Sequence, residues 1–518
     1  MSGGRNIVRS DVVRRVAGGW HALARLVAMT TRTTMLLLTL SLTTVAPGTI
    51  EPARALGPGD LDPSFGAGGL SVTSVATNDL ASSAALQADG KIVVAGQADD
   101  VVVIARYDAT GARDATFGVA GIARDVVPWP IGFVAVDANG RIVVLRQDGF
   151  DVARLLPDGV LDATFGTNGI ASTSFSSQAL PAALALQPDG RIVAVANVIV
   201  TRGAFVLARY LPDGTPDATF GLAGIVVTDF DGADGAASAV AITADRKIVV
   251  TGSLDGTRLD GMVVRYLPDG RLDKTFGTAG MRRLPYEPLS AIVVQPDGKI
   301  VVGGDAFTLS RLELDGSSDP SFGNRGLALI PLTQGRLVGL ALAPEGGLLA
   351  GGLSRRADGA MPFTLARYRP DGTRDVGFGD DGIVTTFIGS SPVTDRDDVR
   401  ALLVQDDGKA ILVGTAPVVE FSGTFHVAKD FALVRYLGGP LLTTSTTTST
   451  TLPPACARDF TVRPRASRRA IVSALRTLRL AERSARRAGR RVPLSPVCAG
   501  SVDGAFVDAI VRVSGLLR

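Results

Sequence analysis

At 518 residues, 46% of them apolar, the chain is too long for one ordinary core, and its many Gly (61) and few Trp (2) suit numerous short strands joined by tight turns rather than a helical bundle. The formal charge of +3 hides a segregation: residues 1–55 carry 7 Arg against 2 acids, residues 456–518 carry 14 Arg against 4, and the stretch between carries 32 Lys and Arg against 44 acids. An acidic body argues against nucleic-acid binding by the main domain, and with only 2 His and 2 Cys a multi-histidine metal centre or di-iron site is excluded.

The first element is the apolar run Met35–Ala46, "MLLLTLSLTTVA", too short to span a bilayer comfortably and right for the core of a secretory signal. Arg32 precedes it, and Ala53-Arg54-Ala55 behind it matches a small-x-small cleavage site. Residues 1–55 therefore read as leader and signal peptide, with a mature chain from Leu56 and an extracytoplasmic location, secreted or at the cell surface. Met1, Met29 and Met35 are alternative starts. Arg14-Arg15 lies too far from the apolar run for a twin-arginine signal and reads as incidental. No later segment is long and apolar enough for a transmembrane span.

Three signatures then recur seven times each. A Phe-Gly-x-x-Gly turn begins at Phe65, Phe117, Phe165, Phe220, Phe276, Phe322 and Phe378, with a period of 46 to 56 residues. Between the copies come Asp-Gly-Lys-Ile-Val-Val runs such as "PDGKIVVGG" from Pro296, and strands ending in Arg106, Arg154, Arg209, Arg265, Arg311, Arg367 and Arg435. A period of this size marks a repeat architecture. Each unit reads as four strands, in the specimen unit Ala239–Thr243, Lys247–Gly252, Met262–Leu267 and a strand after Gly280. The turns are chemically apt, because Pro presets φ and Gly accepts positive φ, as in Pro268-Asp269-Gly270.

Four-stranded sheets of this size cannot bury both faces alone, and radial stacking protects their edges. The expected fold is all-β, a seven-bladed β-propeller over residues 56–440. The array opens with a fourth strand and closes with a third, so residues 70–75 should pair with 430–437 and close the ring by joining the N- and C-terminal strands.

The units "LPDGxxDxTFGxxG" and "xxDGKIVVAG" resemble the delta-60 repeat family, bacterial secreted or surface β-propellers largely without assigned activity. The resemblance covers roughly residues 61–437. It implies a bacterial source and an extracytoplasmic location, and supplies no family active site to transfer. Departures fall at Asp245-Arg246, at Glu345-Gly346-Gly347 and at Val376-Gly377.

The recurring Arg, and the recurring acid at Asp114, Asp162, Asp217, Asp273 and Asp375, read as braces, because a pocket uses a few unlike residues whereas a group present in every blade supports the fold. No catalytic, cofactor-binding or metal residue is assigned. His426 is the one histidine after the signal and reads as incidental; a Ser-His-Asp triad would have to use it. The acidic runs Asp229, Asp231, Asp234 and Asp395, Asp397, Asp398 offer oxygen ligands for Ca²⁺, although neither has EF-hand spacing and solvated turn caps are the plainer reading. Trp129 could anchor a sugar or a partner if exposed, and packing over a blade edge is the plainer reading.

Residues 441–455 form a Thr/Ser/Pro linker. Beyond it, residues 456–518 read as a small, basic α-helical domain stapled by a disulfide between Cys456 and Cys498, its Arg-rich helix suited to an anionic surface. The expected function is that of a binding or interaction module at or outside the cell surface, with protein or carbohydrate as partner. A carboxylate-based carbohydrate hydrolase or lyase in the channel is the enzymatic alternative, and a structural spacer the third.

Overall fold

A computed structural model of the chain describes residues 56–440, apart from 174–178, 200–202, 256–259, 286–287, 333, 357–358, 389–397 and 422–424. The leader, the linker and the basic tail with Cys456 and Cys498 lie outside the described residues.

Seven four-stranded antiparallel sheets follow one another along the chain. The unit at 235–284 shows the plan: Gly235–Ile242, Ile248–Leu254, Asp260–Tyr266 and Met281–Leu284, in that spatial order. The first strand begins four residues earlier than the sequence pattern suggests. A β-bulge between Ala237 and Ala239 resets the alternation there, so the run Gly-Ala-Ala-Ser carries no period of two to detect. The first strands of neighbouring sheets touch one another all the way round, including Asp398–Val404 against Asp79–Leu86. They are the inner wall of a closed seven-bladed propeller. Among the described residues no helix is long and apolar enough to cross a membrane.

The cores lie between the blades. Seven apolar clusters form, one at each interface. Within the second strand Ile92–Ala98, Val93 and Ala95 pack towards the following blade while Ile92 and Val94 pack towards the preceding one. A strand buried on both faces has no polar side, which is why the Ile-Val-Val runs read as continuous rather than alternating.

Blade 7 is built from both ends of the array. Leu70–Thr73 pairs antiparallel with the third strand Phe425–Tyr436, Leu70 opposite Val434 and Thr73 opposite Phe431, so the expected closure is present. The closure also extends beyond that strand. In the specimen unit the third strand runs into a Pro-Asp-Gly turn, where the Leu267 N–H donates to the Arg271 carbonyl (2.7 Å) and the Gly221 N–H donates to Asp269 (2.9 Å). In blade 7 that turn is supplied by the start of the propeller: the Leu437 N–H donates to Asp60 (2.8 Å), and the Gly379 N–H donates to Pro58 (2.9 Å). Gly59 takes φ +89° where Gly270 takes φ +90°. Residues 57–60 thus stand in for the missing turn.

Candidate functional site

Two features recur in every blade. The first is an arginine clasp. Arg106, at the end of the third strand of blade 1, donates through Nε to Asp114 (2.8 Å) and through Nη2 to the Thr116 hydroxyl (3.1 Å). Its Nη1 donates to the Pro157 carbonyl in the turn of the next blade. The guanidinium lies 4.6 Å from the centre of the Phe117 ring, an attractive stacking geometry. The same Arg, Asp and Phe set repeats at all seven interfaces, ending with Arg435, Asp62 and Phe65. Asp62 and Asp319 belong to the set although they precede Pro-Ser, unlike the other five; their position three residues before Phe is the signal that identifies them.

Burial alone raises the carboxyl of Asp273, but donation from the Thr275 hydroxyl and backbone N–H, the Arg265 charge and the Lys247 ammonium outweigh it and hold it at about 2. The basic residue of the Asp-Gly-Lys turn serves the same carboxylate, as Lys91 does for Asp114 (3.2 Å) and Lys299 for Asp319 (2.8 Å). Both clasp partners are buried and engaged with each other. The clasp is a joint between blades, as the recurrence implies, and its chemistry is spent on the fold.

The second feature is a bulge. Each first strand carries one register shift at an equivalent place. The extra residues are Ser82, Gly132, Ala182, Ser238, Ser290, Val338 and Arg400, and all seven line one cavity of about 500 Å³ at the mouth of the central channel. Leu80, Phe133 and Leu337 add apolar wall, while Gln97 in the second strand of blade 1, Gln147 in the turn just past the second strand of blade 2, and Arg336 from blade 6 add polar groups. Bulges re-aim side chains, and here they turn one residue per blade towards a common space. Other concavities lie elsewhere: about 630 Å³ among the turns after the first strands of blades 5 to 7, and about 690 Å³ beside Gly59 and Arg374.

The residues singled out in the sequence scatter. Trp129 is 6% exposed within the core between blades 1 and 2, which is the packing role. His426 stands opposite Glu420 in the long hairpin of blade 7. Asp234 accepts from the Gly203 N–H (2.8 Å), and Asp231 adopts φ +50° in a turn. Asp395 and Asp397 lie outside the described residues. Asp398 opens the first strand of blade 7 and is held by Arg336 and by Arg400, the latter at 2.5 Å. Among the described residues no group of three or more His, Cys, Asp or Glu is placed to hold a metal ion. No carboxylate lines the channel cavity among the described residues.

Five stretches, 87–117, 138–165, 187–220, 243–276 and 295–322, match the profile of a family described as "Domain of unknown function (DUF5122) beta-propeller"; they fall in five consecutive repeat units. No curated protein matches the chain. Among solved structures, the chain is similar to virginiamycin B lyase from Staphylococcus aureus, at 10% identity over 70% of this chain and 98% of that one, TM-score 0.40. It is also similar to XC5397 from Xanthomonas campestris, described as a gluconolactonase, at 14% identity over 58% of this chain and 96% of that one, TM-score 0.35. A third is YCF48 from Cyanidioschyzon merolae, at 10% identity over 71% of this chain and 98% of that one, TM-score 0.39. With the seven closed sheets, the matched repeats identify the chain as a β-propeller repeat protein.

Proposed function

We propose that the protein is a binding module, exported by a bacterium and acting at or outside the cell surface, and that it binds its ligand at the bulge-ringed mouth of the channel. One observation carries this reading. The blades repeat their turns, clasps and cores, yet at the seven bulge positions they present Ser, Gly, Ala, Ser, Ser, Val and Arg. Positions equivalent in geometry and unlike in chemistry are what a single asymmetric ligand requires, and the cavity falls within the size range of small-molecule sites. The hydrolase alternative would need a pair of carboxylates at this mouth.

The test is thermal unfolding of the full chain against acidic and neutral oligosaccharides and short peptides. Ser238→Trp serves as a plug, since Ser238 is half-buried on the cavity wall. A bound ligand raises the melting temperature, by an amount equivalent to about 2.7 kcal/mol at one hundred times Kd. The rise should vanish in the plugged variant, whose own melt should match the native protein. A rise that survives the plug would place the site elsewhere.

A further inference from the structure

The mouth is electrostatically lopsided. Arg336 and Arg400, on adjacent blades, both line the cavity and both contact the single carboxylate of Asp398. Arg336 also donates to the Val399 carbonyl (3.2 Å), across the interface from blade 6 to blade 7. Two guanidinium groups present ten N–H donors, and one carboxylate offers about four acceptor sites. Among the described residues the cluster therefore keeps a net positive charge and donor capacity for a further, anionic partner. Side-chain exposures of 48% and 44% leave both arginines within reach of solvent.

The adjoining wall, round the ring from blade 7, differs. Ser82 of blade 1 and the amides Gln97 and Gln147 of blades 1 and 2 offer donors and acceptors suited to neutral hydroxyls, and half-buried Phe133 offers an aromatic edge. An oxyanion subsite flanked by amides, a hydroxyl and one aromatic ring matches a molecule with an acid group, several hydroxyls and an apolar ring face.

Resting on the channel-mouth reading, we propose that the ligand is an acidic saccharide, whose carboxylate is taken by Arg336 and Arg400 while its hydroxyls meet Ser82, Gln97 and Gln147. Asp398 then orients the two guanidinium groups in the free protein. Binding adds a second anion to this pair of cations.

The experiment is titration calorimetry on the full chain with a uronate trisaccharide, its methyl ester and inorganic phosphate as probes. The native protein, Arg336→Gln/Arg400→Gln, Arg400→Gln alone and Ser238→Trp are compared, each first checked by its melt. The uronate should bind at least about tenfold more tightly than the ester, a preference the double variant should erase. Arg400→Gln alone should lose part of it, and added salt should weaken uronate binding to the native protein. Equal binding of acid and ester by the native protein overturns the acidic class and leaves the mouth in place. Uronate binding that Ser238→Trp abolishes but neither arginine variant weakens overturns the subsite. Phosphate binding as tight as uronate reduces the site to a bare anion hole and overturns the saccharide. Binding that survives Ser238→Trp refutes the mouth itself, and native protein that takes none of the three probes refutes the inference.

Discussion

Arg435 and Asp62 are separated by 373 residues in the chain, yet the Arg435 Nε donates to the Asp62 carboxylate at 2.9 Å. Arg265 makes the same contact to Asp273, eight residues away, also at 2.9 Å. The geometry of the clasp is thus indifferent to connectivity. In blade 7 it is the buried charge pair that ties the start of the propeller to its end.

Replacing Arg435 with Ala should therefore be among the more damaging single changes. It leaves Asp62, 3% exposed, with only Lys409 at 3.4 Å as a cationic partner. Breaking a buried ion pair costs about 3–5 kcal/mol when no partner remains; with Lys409 and the Ser64 donors still in place the loss should lie at the low end, and it also frees the segment carrying Leu70–Thr73. Urea unfolding gives the cost, and hydrogen exchange at Leu70–Thr73 reports the freed strand. Deleting residues 56–76 removes turn, clasp acid and outer strand together and should lower the melting temperature sharply. An unchanged melt would refute closure by the N-terminal segment.

The blades were legible because their determinants are local. Pro-Asp-Gly and Phe-Gly-x-x-Gly specify backbone conformation within a few residues, and the Ile-Val-Val runs mark strands buried on both faces. The clasp was legible as a recurrence, although Asp62 and Asp319 were hidden behind a different following dipeptide. The channel mouth was not legible. Its seven bulge residues are spaced roughly one repeat apart in the chain, and each sits in a Gly-, Ala- or Ser-rich strand, or an interrupted one, whose alternation the bulge itself breaks. Arg336 and Arg400 carry no local mark of convergence, which is a property of the closed ring alone.

Arg246 occupies a turn position where Gly90, Gly190, Gly298 and Gly408 stand in other blades, and it adopts φ +65°. A non-glycine residue in the left-handed region costs roughly 1–2 kcal/mol. Its compensation is slight: an exposed contact from Nη1 to Asp189 at 3.4 Å, of a kind worth little in water. Arg246→Gly should stabilise the protein by about 0.5–1 kcal/mol, after allowance for the greater freedom of glycine in the unfolded chain. The denaturant midpoint should rise with its slope unchanged. A lower midpoint would show that the side chain does more than fill the turn.

Gly159 works in the opposite sense. It takes φ +92°, and a Cβ built on it would stand 2.8 Å from the ring of Phe117. That ring is fully buried between this turn and the Arg106 guanidinium, so it has nowhere to retreat. Gly159→Ala should destabilise by about 2 kcal/mol or more, combining backbone strain with overpacking. Alanine at Gly68, which also has positive φ but meets nothing within 4 Å, separates the two contributions. Equal losses at both sites would mean that the aromatic contact contributes nothing beyond φ.

The pH dependence of stability follows from two opposed sets of carboxylates. Burial pushes Asp79, fully buried where blade 1 meets blade 7, up to about 6; the Val75 and Ala76 N–H groups oppose the rise, and the charges of Asp430 and Asp99 reinforce it. Because the folded value exceeds the unfolded one, the native state binds the extra proton. The contribution of Asp79 is complete below its ordinary value near 4 and is lost as pH rises through about 6, a change of about 3 kcal/mol. The clasp acids run the other way: Asp217 and Asp273, both held at about 2, stabilise above pH 4, and that stability is lost as pH falls towards 2. The melting temperature should therefore peak near pH 4–5 and decline on both sides. Asp79→Asn should flatten the decline between pH 4 and 6 and leave the acid limb unchanged. A native profile already flat over that interval would mean that Asp79 titrates as an ordinary carboxylate, and that the junction of blades 1 and 7 stores no charge strain.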